Sequence, residues 1–195
     1  MEIEFDAFNG EVAAAIDASL GRSSTGHPAD RPDLHGDLPG LPAALGRLFA
    51  TIHGLVVPSH LEPARLDRLV EERFHRGTIR PGEFPDPYSR YDAAQLVQIW
   101  HDGAERCADQ TAPVCLVGAA TVDRLLMDGG EVAAIRGEFG LVGDRHLDLA
   151  VIQNSIHNTL GPEAVFGFYE AYGSDPNIVL LDHFVLTGLL LGWIR

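Results

Sequence analysis

The chain of 195 residues contains no lysine, so all 14 of its basic residues are arginine. Nucleotide sites in which a strand lysine contacts the α- and β-phosphates are therefore not expected in it. With 28 acidic residues the formal net charge is −14, which argues against the basic patch that nucleic-acid binding requires. The balance favours cationic partners, or an acidic surface that keeps the protein in solution.

Cysteines and long apolar runs are also scarce. Cys107 and Cys115 are too few for a disulfide framework, and the nine histidines show no metal-ligand spacing, so we expect no metal site. The longest apolar run, at 185–194, is about half the length that a bilayer requires. The first ten residues are acidic and lack the apolar core of a secretory signal. We therefore expect a cytoplasmic protein without membrane or nucleic-acid partners.

The order of predicted elements indicates an α+β fold that is mainly α-helical. Apolar residues at helical spacing predict helices at 12–20, 41–55, 63–76, 92–107, 147–160, 162–172 and 177–193. Three short strands, at 114–117, 124–127 and 132–135, form a small β-hairpin region between the two groups of helices. Glycine, proline, serine and aspartate dominate residues 21–40, which predicts a flexible loop. A hydrophobic content of 46% is enough for one core.

The most specific motif runs from 113 to 150 and reads PVCLVGAATVDRLLMDGGEVAAIRGEFGLVGDRHLDLA. It resembles the C-terminal lobe of the aminoglycoside 3'-phosphotransferase family, in which VCHGDxxxxN, a strand hairpin and GxxDRxxDLA follow in this order. Four further segments resemble helices of the same lobe: LPAALGRLFATIHGL, ARLDRLVEERFHRGTI, YDAAQLVQIW and LGPEAVFGFYEAYGSDPNIVLLDHF. The resemblance covers residues 41–184 and implies a truncated protein-kinase-like fold; a fold does not by itself determine an activity.

The same resemblance predicts that the chain is divided into two parts. Residues 41–195 correspond to the phosphotransferase C-lobe. Residues 1–40 are expected to form an N-terminal helix and a flexible loop, and they contain no glycine-rich strand–turn–strand pattern. They are too few for the β-sheet lobe that binds adenine and phosphates in the family, so we expect this N-lobe to be missing.

The positions that perform phosphoryl transfer in the family carry other residue types here. The catalytic aspartate falls on Ala119 when the glycine of the motif is aligned, or on Gly118 when VC is aligned. The metal-binding asparagine falls on Arg124 or Asp123, and the metal-binding aspartate falls on Arg136. A guanidinium group is always cationic and cannot bind Mg²⁺. The resemblance therefore implies a degenerate site without a catalytic base, a metal ion or a nucleotide cofactor.

Two carboxylate-bearing segments leave alternatives open. The sequence LHGDLPG at 34–40 resembles the catalytic motif when it is taken alone. It precedes the first helix of the lobe and has Pro42 where the asparagine belongs, and a polar loop before a helix also explains it. Glu138 is close enough to Arg136 for a loop shift to bring a carboxylate to a metal. That site would still lack the base and the lysine.

Several polar residues are expected to be structural. Asp144, Arg145 and Asp148 of GDRHLDLA are predicted to be buried scaffold residues with hydrogen bonds or ion pairs. His53 and His183 lie within apolar helices, which predicts satisfied interior or interface positions.

Arg124 and Arg136 are the candidate binding residues. They flank the expected cleft, where they could bind an anionic group by bidentate hydrogen bonds. Alternatively, each arginine pairs with a neighbouring carboxylate, Asp123 or Glu138, and only fills space. This pattern points to binding and identifies no catalytic residue.

Three functions remain in consideration. The first is a non-phosphorylating, pseudokinase-like protein that binds a partner subunit or a substrate peptide. The second is an ATP-independent cyclase or lyase, with Cys115 as a nucleophile or Tyr169 as a proton donor; the third is a residual small-molecule phosphotransferase. The lysine-free composition is typical of GC-rich genomes with natural-product clusters, and phosphotransferase-like proteins occur in lanthipeptide-type pathways.

Association is expected as well. A C-lobe without its N-lobe exposes apolar surface, and the terminal sequence VLTGLLLGWIR is expected to add more. Such patches are typical of partner sites, so we predict a homodimer or a heteromer.

Overall fold

The computed structural model of the chain describes residues 9–20, 27–28, 40–107, 112–128, 131–136 and 139–194. Glu138 and residues 34–39 of the LHGDLPG segment lie outside the described residues. Within the described ranges, the helices are α1 (Gly10–Ser19), α2 (Leu41–His53), α3 (Leu66–His75), α4 (Ala93–Cys107), α5 (His146–Leu160), α6 (Pro162–Tyr172) and α7 (Ile178–Leu191). The strands are β1 (His27–Pro28), β2 (Val114–Leu116), β3 (Leu125–Asp128), β4 (Glu131–Ile135) and β5 (Leu141–Gly143). The predicted class, mainly helical with a small β region, is confirmed.

The strands form two small antiparallel sheets. In the first, the hairpin of β3 and β4 is joined by β1, which pairs with β3 so that His27 lies opposite Met127. In the second, β2 pairs with β5, and Cys115 lies opposite Val142. The loop that leaves β2 and the turn that enters β5 therefore lie side by side.

The core is centred on α5 and α7. α7 is almost entirely apolar, which is typical of a buried helix, and most of its side chains are buried, while Ile178, Val179 and Asp182 are exposed. The segment after α7 is buried too, because Trp193 and Ile194 are only 9% and 3% exposed. The expectation that the terminal sequence adds exposed apolar surface is therefore wrong.

Helix α1 packs against the turn before β5. Val12 and Ile16 are completely buried, and the Asn9 side chain caps the helix by accepting hydrogen bonds from its first turn. The Asn9 N–H donates to the Gly140 carbonyl at 2.7 Å, and the Gly140 N–H donates to the Val117 carbonyl at 3.1 Å. Gly140 has φ 103°, and a Cβ there would lie 2.7 Å from the Ala13 nitrogen. This contact requires glycine.

Helices α2 and α6 touch through their backbones. A Cβ on Gly46 would collide with the Phe168 carbonyl and would lie 2.8 Å from the Tyr172 nitrogen. The residue after α6, Gly173, has the left-handed conformation with φ 83°, which commonly terminates a helix. The close approach sets the last residue of α6, Tyr172, beside the last residue of α2, His53.

Among the described residues, no helix combines the length and the apolar composition needed to span a bilayer.

Candidate functional site

The loop 117–124, which joins β2 to β3, begins with a left-handed turn. Gly118 has φ 69° and Ala119 has φ 42°, a backbone region that residues with a side chain rarely adopt. The carboxylate of Asp148, at the start of α5, accepts hydrogen bonds from the N–H groups of Val117 at 2.7 Å and Gly118 at 2.8 Å. These bonds hold the turn in place and satisfy a carboxylate that is completely buried.

Asp148 also has a partner on α2. His53 Nε2 lies 3.3 Å from Asp148 Oδ2, and His53 Nδ1 lies 2.8 Å from the Tyr172 hydroxyl. Because a carboxylate oxygen accepts hydrogen bonds, we assign Nε2 as the donor to Asp148 and Nδ1 as the acceptor from the tyrosine. Burial raises the pKa of Tyr172, which keeps its hydroxyl protonated as a donor. Tyr172, His53 and Asp148 thus form one hydrogen-bonded chain beneath the loop.

The scaffold role predicted for the GDRHLDLA residues is confirmed for Asp148 and Asp144. Asp144 Oδ1 accepts from the His146 N–H at 2.9 Å and lies 2.7 Å from His146 Nδ1. The other ring nitrogen of His146 accepts from the Asn177 N–H at 3.1 Å. This network fixes the entry into α5 and into α7. Arg145 has a buried Nε without a hydrogen-bond partner. The positive charge of Arg145 lowers the pKa of Tyr172 and so opposes the larger effect of burial, which raises it.

Arg124 holds the other end of the loop. Its Nε donates to the Arg136 carbonyl at 2.8 Å, and its Nη1 donates to the Ala119 carbonyl at 2.9 Å. The Arg136 N–H donates in return to the Arg124 carbonyl at 2.7 Å. One guanidinium group therefore joins the left-handed turn to the residue that follows β4. Charged donors make such bonds stronger than neutral ones.

The structure brings two of the four predicted binding residues into contact. Arg124 and Arg136 are joined by the hydrogen bonds just described, and the Arg136 side chain is exposed. Asp123 is exposed and belongs to the same single helical turn as Arg124, Val122–Arg124. Glu138 lies outside the described residues, so its pairing with Arg136 stays a prediction.

These residues do not fit a Mg²⁺-nucleotide. When the glycine of the motif is aligned, the positions that correspond to the metal ligands are Arg124 and Arg136, and both carry fixed positive charge. When VC is aligned, Asp123 takes the first of these positions, and Arg136 still occupies the second. Gly118 and Ala119, aligned with the catalytic aspartate, have no acidic side chain. In the described part of the chain, no group of three or more His, Cys, Asp or Glu residues is placed to hold a metal ion.

A cavity of about 360 Å³ opens between the loop, α5 and the segment after α7. Arg124 and Asp123 line it on the loop side, and Trp193 lines it on the opposite side. Its remaining polar lining consists of hydroxyl and amide groups: Thr121, Asn154, Ser155, Asn158 and Thr159. The volume lies in the range of small-ligand sites. Neutral hydrogen-bonding groups dominate it, with one carboxylate and one guanidinium at the edge.

The two candidates for ATP-independent catalysis lie elsewhere. Cys115 is completely buried, and burial raises the pKa of its thiol, which keeps it in the unreactive protonated form. Burial also raises the pKa of Tyr169, whose hydroxyl donates to Gln153 Oε1 at 2.6 Å. Neither residue lines the cavity, so neither geometry supports a reaction there.

Sequence reasoning missed the polar face of α5. Asn154 and Asn158, and likewise Ser155 and Thr159, are four residues apart, which places them on one side of the helix. The run QNSIHNTL within an otherwise apolar helix was the available signal. Tyr172 was missed as well. Its hydroxyl bonds to a residue 119 positions away, which no local pattern encodes.

Solved structures share this fold. The chain is similar to aminoglycoside phosphotransferase APH(3'')-Id from Streptomyces rimosus, with a TM-score of 0.74 and 16% identity over 87% of this chain and 67% of that one. A type VIII aminoglycoside-3'-phosphotransferase gives 0.70 and 17% over 86% and 66%. A choline/ethanolamine kinase family protein from Mesorhizobium loti gives 0.63 and 18% over 95% and 67%.

The chain thus has the kinase-like aminoglycoside phosphotransferase fold, as the motif order predicted, and it spans about two thirds of the length of these structures. No family profile matches the chain, and the search of curated proteins found no match.

Proposed function

We propose that this protein is a non-phosphorylating, pseudokinase-like protein that binds a partner subunit or a substrate peptide. One observation carries the proposal: the Arg124 guanidinium is bonded to the carbonyls of Ala119 and Arg136. Phosphoryl transfer depends on metal ions and on a residue that positions the attacking group. A fixed cation at the metal position repels a second cation, and it cannot accept a proton.

The preformed loop supports binding rather than phosphoryl transfer. Asp148 and Arg124 hold the loop 117–124 from its two ends through side chains of the protein itself. The loop therefore keeps this conformation without a bound nucleotide. A preorganised surface loses less entropy when a ligand binds, and the cavity beside it offers neutral hydrogen-bonding groups to that ligand.

Arg136 is the residue most suited to recognise an anionic group. Its side chain is exposed beside Arg124, whereas the protein as a whole has a charge of −14. Screening limits the attraction to about 8–10 Å at physiological salt. The expected ligand carries a phosphate or carboxylate on a cationic or apolar body. Modification of a peptide in natural-product biosynthesis, including lanthipeptide-type pathways, is the setting that we propose for it.

Calorimetric titration with Mg-ATP tests the absence of nucleotide chemistry. We expect no saturable heat, because Arg124 and Arg136 repel the metal. A dissociation constant below about 100 μM, roughly 5 kcal/mol of binding free energy, would overturn the proposal.

Titration with inorganic phosphate tests the anion site. We expect the Nε resonances of Arg124 and Arg136 to shift saturably in the NMR spectrum. Arg136→Ala should weaken this binding by about tenfold, the effect of one lost charged hydrogen bond of about 1.5 kcal/mol. Arg68→Ala, a change at another exposed arginine, is the matched control. Equal shifts at Arg68 in the wild-type protein would mean nonspecific binding and would count against the site.

A further inference from the structure

A second cavity, of about 260 Å³, lies between α4 and α7. Ile99 and Val179 line it, and they are 36% and 62% exposed. Ile178, next to Val179, is 63% exposed. Large apolar side chains that are exposed together at one depression are typical of contact surfaces. We call this surface the α4–α7 groove; its lining residues are Tyr88, Ile99, Gly103, Arg106, Cys107, Val179, Asp182, His183 and Leu186.

The floor of the groove is closely packed and uncharged. A Cβ on Gly103 would lie 2.7 Å from His183 Nδ1, so glycine is what allows the two helices this approach. The His183 ring stacks on Trp100, whose Nε1 donates to the Thr187 hydroxyl at 2.8 Å. Burial lowers the pKa of His183 to about 4. The ring is therefore neutral at physiological pH and does not repel a cationic ligand.

Two carboxylates and one guanidinium act on the groove. Asp182 and Arg106 line it, and the negative charge of Asp144 acts on the pKa of two other lining residues, Cys107 and His183. Burial, and next the negative charge of Asp182, raise the pKa of Tyr88, which places this carboxylate close to the tyrosine hydroxyl at the rim. A second copy of the chain would bring another −14 to this surface. A basic segment is its electrostatic complement.

We propose that the α4–α7 groove docks a basic peptide segment of a partner protein. One apolar side chain of the segment inserts between Ile99 and Val179, and a neighbouring arginine or lysine lies beside Asp182. The inference rests on the proposed function, since it locates the partner that this function requires. The groove shares no lining residue with the cavity beside the loop 117–124, so the two sites can be tested separately.

Selection from a displayed library of random dodecapeptides on the immobilised full chain tests the proposal. We expect the selected sequences to combine an apolar residue with an adjacent arginine or lysine. The strongest peptide, labelled with fluorescein, is then titrated by anisotropy. Val179→Ser should weaken its binding at least tenfold, and Asp182→Asn should weaken it several-fold and reduce its salt dependence. Val56→Ser changes a side chain that is 88% exposed and does not line the groove, so it should leave the binding unchanged.

Three outcomes would overturn the proposal. The first is a set of selected peptides without basic residues. The second is wild-type affinity in the Val179→Ser variant. The third is a concentration-dependent dimer in light scattering that Val179→Ser disrupts, which would make a second copy the occupant. Binding of Mg-ATP, in contrast, would overturn the proposed function and leave the peptide results standing.

Discussion

At the scale of single residues, the carboxylate of Asp148 meets three groups: the N–H groups of Val117 and Gly118 and the His53 ring. The asparagine side chain has the same shape, but its NH₂ group would face one of these donors at a place where a carboxylate oxygen of Asp148 now accepts a hydrogen bond. We predict that Asp148→Asn lowers the free energy of unfolding by about 1–3 kcal/mol, the cost of an unsatisfied buried donor.

Urea denaturation measures this difference. The exposed residue Asp175 provides the matched control, because Asp175→Asn should change the free energy of unfolding by less than about 0.5 kcal/mol. Equal stability of the two variants would show that the loop 117–124 does not depend on Asp148.

His183 gives stability a dependence on pH. Burial lowers its pKa from 6.5 to about 4; the positive charge of Arg106 adds to this shift and the Asp144 carboxylate opposes it. Between these two values the unfolded chain binds the proton more readily than the folded protein does. Stability therefore falls as the pH drops from about 6.5 to 4. We predict that His183→Gln reduces this slope in urea denaturation series, whereas the exposed His75→Gln does not. An unchanged slope in His183→Gln would contradict the assignment.

Arg124 shows why the site was only partly predictable. Its position in the motif identified it as a candidate binding residue, because the motif is recognised from the order of residues alone. Its guanidinium donates to two backbone carbonyls, of Ala119 and Arg136. Backbone groups are present at every position, so a sequence pattern does not distinguish the ones that an arginine will reach.

At the scale of elements, the helices were predictable and two strands were not. The observed bounds of α2 and α6, Leu41–His53 and Pro162–Tyr172, lie within two residues of those predicted, because an apolar face repeats along each helix. β1 has two residues and β5 has three, too few for an alternating pattern. Each exists because a distant strand supplies its hydrogen bonds.

The contact between α2 and α6 predicts a large effect of one methyl group. Gly46→Ala places a Cβ against the Phe168 carbonyl and the Tyr172 nitrogen, and backbone atoms cannot rotate away. We expect a loss of about 1–3 kcal/mol in the free energy of unfolding, as for other overpacked cores. Gly10, the first residue of α1, has open space where a Cβ would lie. Gly10→Ala is therefore the control and should be neutral or stabilising by up to about 1 kcal/mol. Similar thermal denaturation midpoints for both variants would contradict the close approach.

At the scale of the whole molecule, a net charge of −14 on 195 residues produces self-repulsion that opposes the compact state. Salt shortens the reach of this repulsion from about 30 Å at 0.01 M to about 8 Å at 0.15 M. We predict that the thermal midpoint rises over this range of sodium chloride. Sodium sulfate at equal ionic strength is the control for ion-specific effects. A constant or falling midpoint would show that attractive pairs outweigh the excess of acidic groups.

The docking of α1 gives the molecule a mechanical linkage. A displacement of Asn9 acts on the Gly140 carbonyl, and the same glycine pulls on Val117 through its own N–H. Val117 is the first residue of the loop and is also held by Asp148. Tension applied to the chain before Asn9 is therefore transmitted to the loop 117–124 through two consecutive hydrogen bonds. An attachment at that end of the chain would in this way act on the bond between the Arg124 guanidinium and the Ala119 carbonyl.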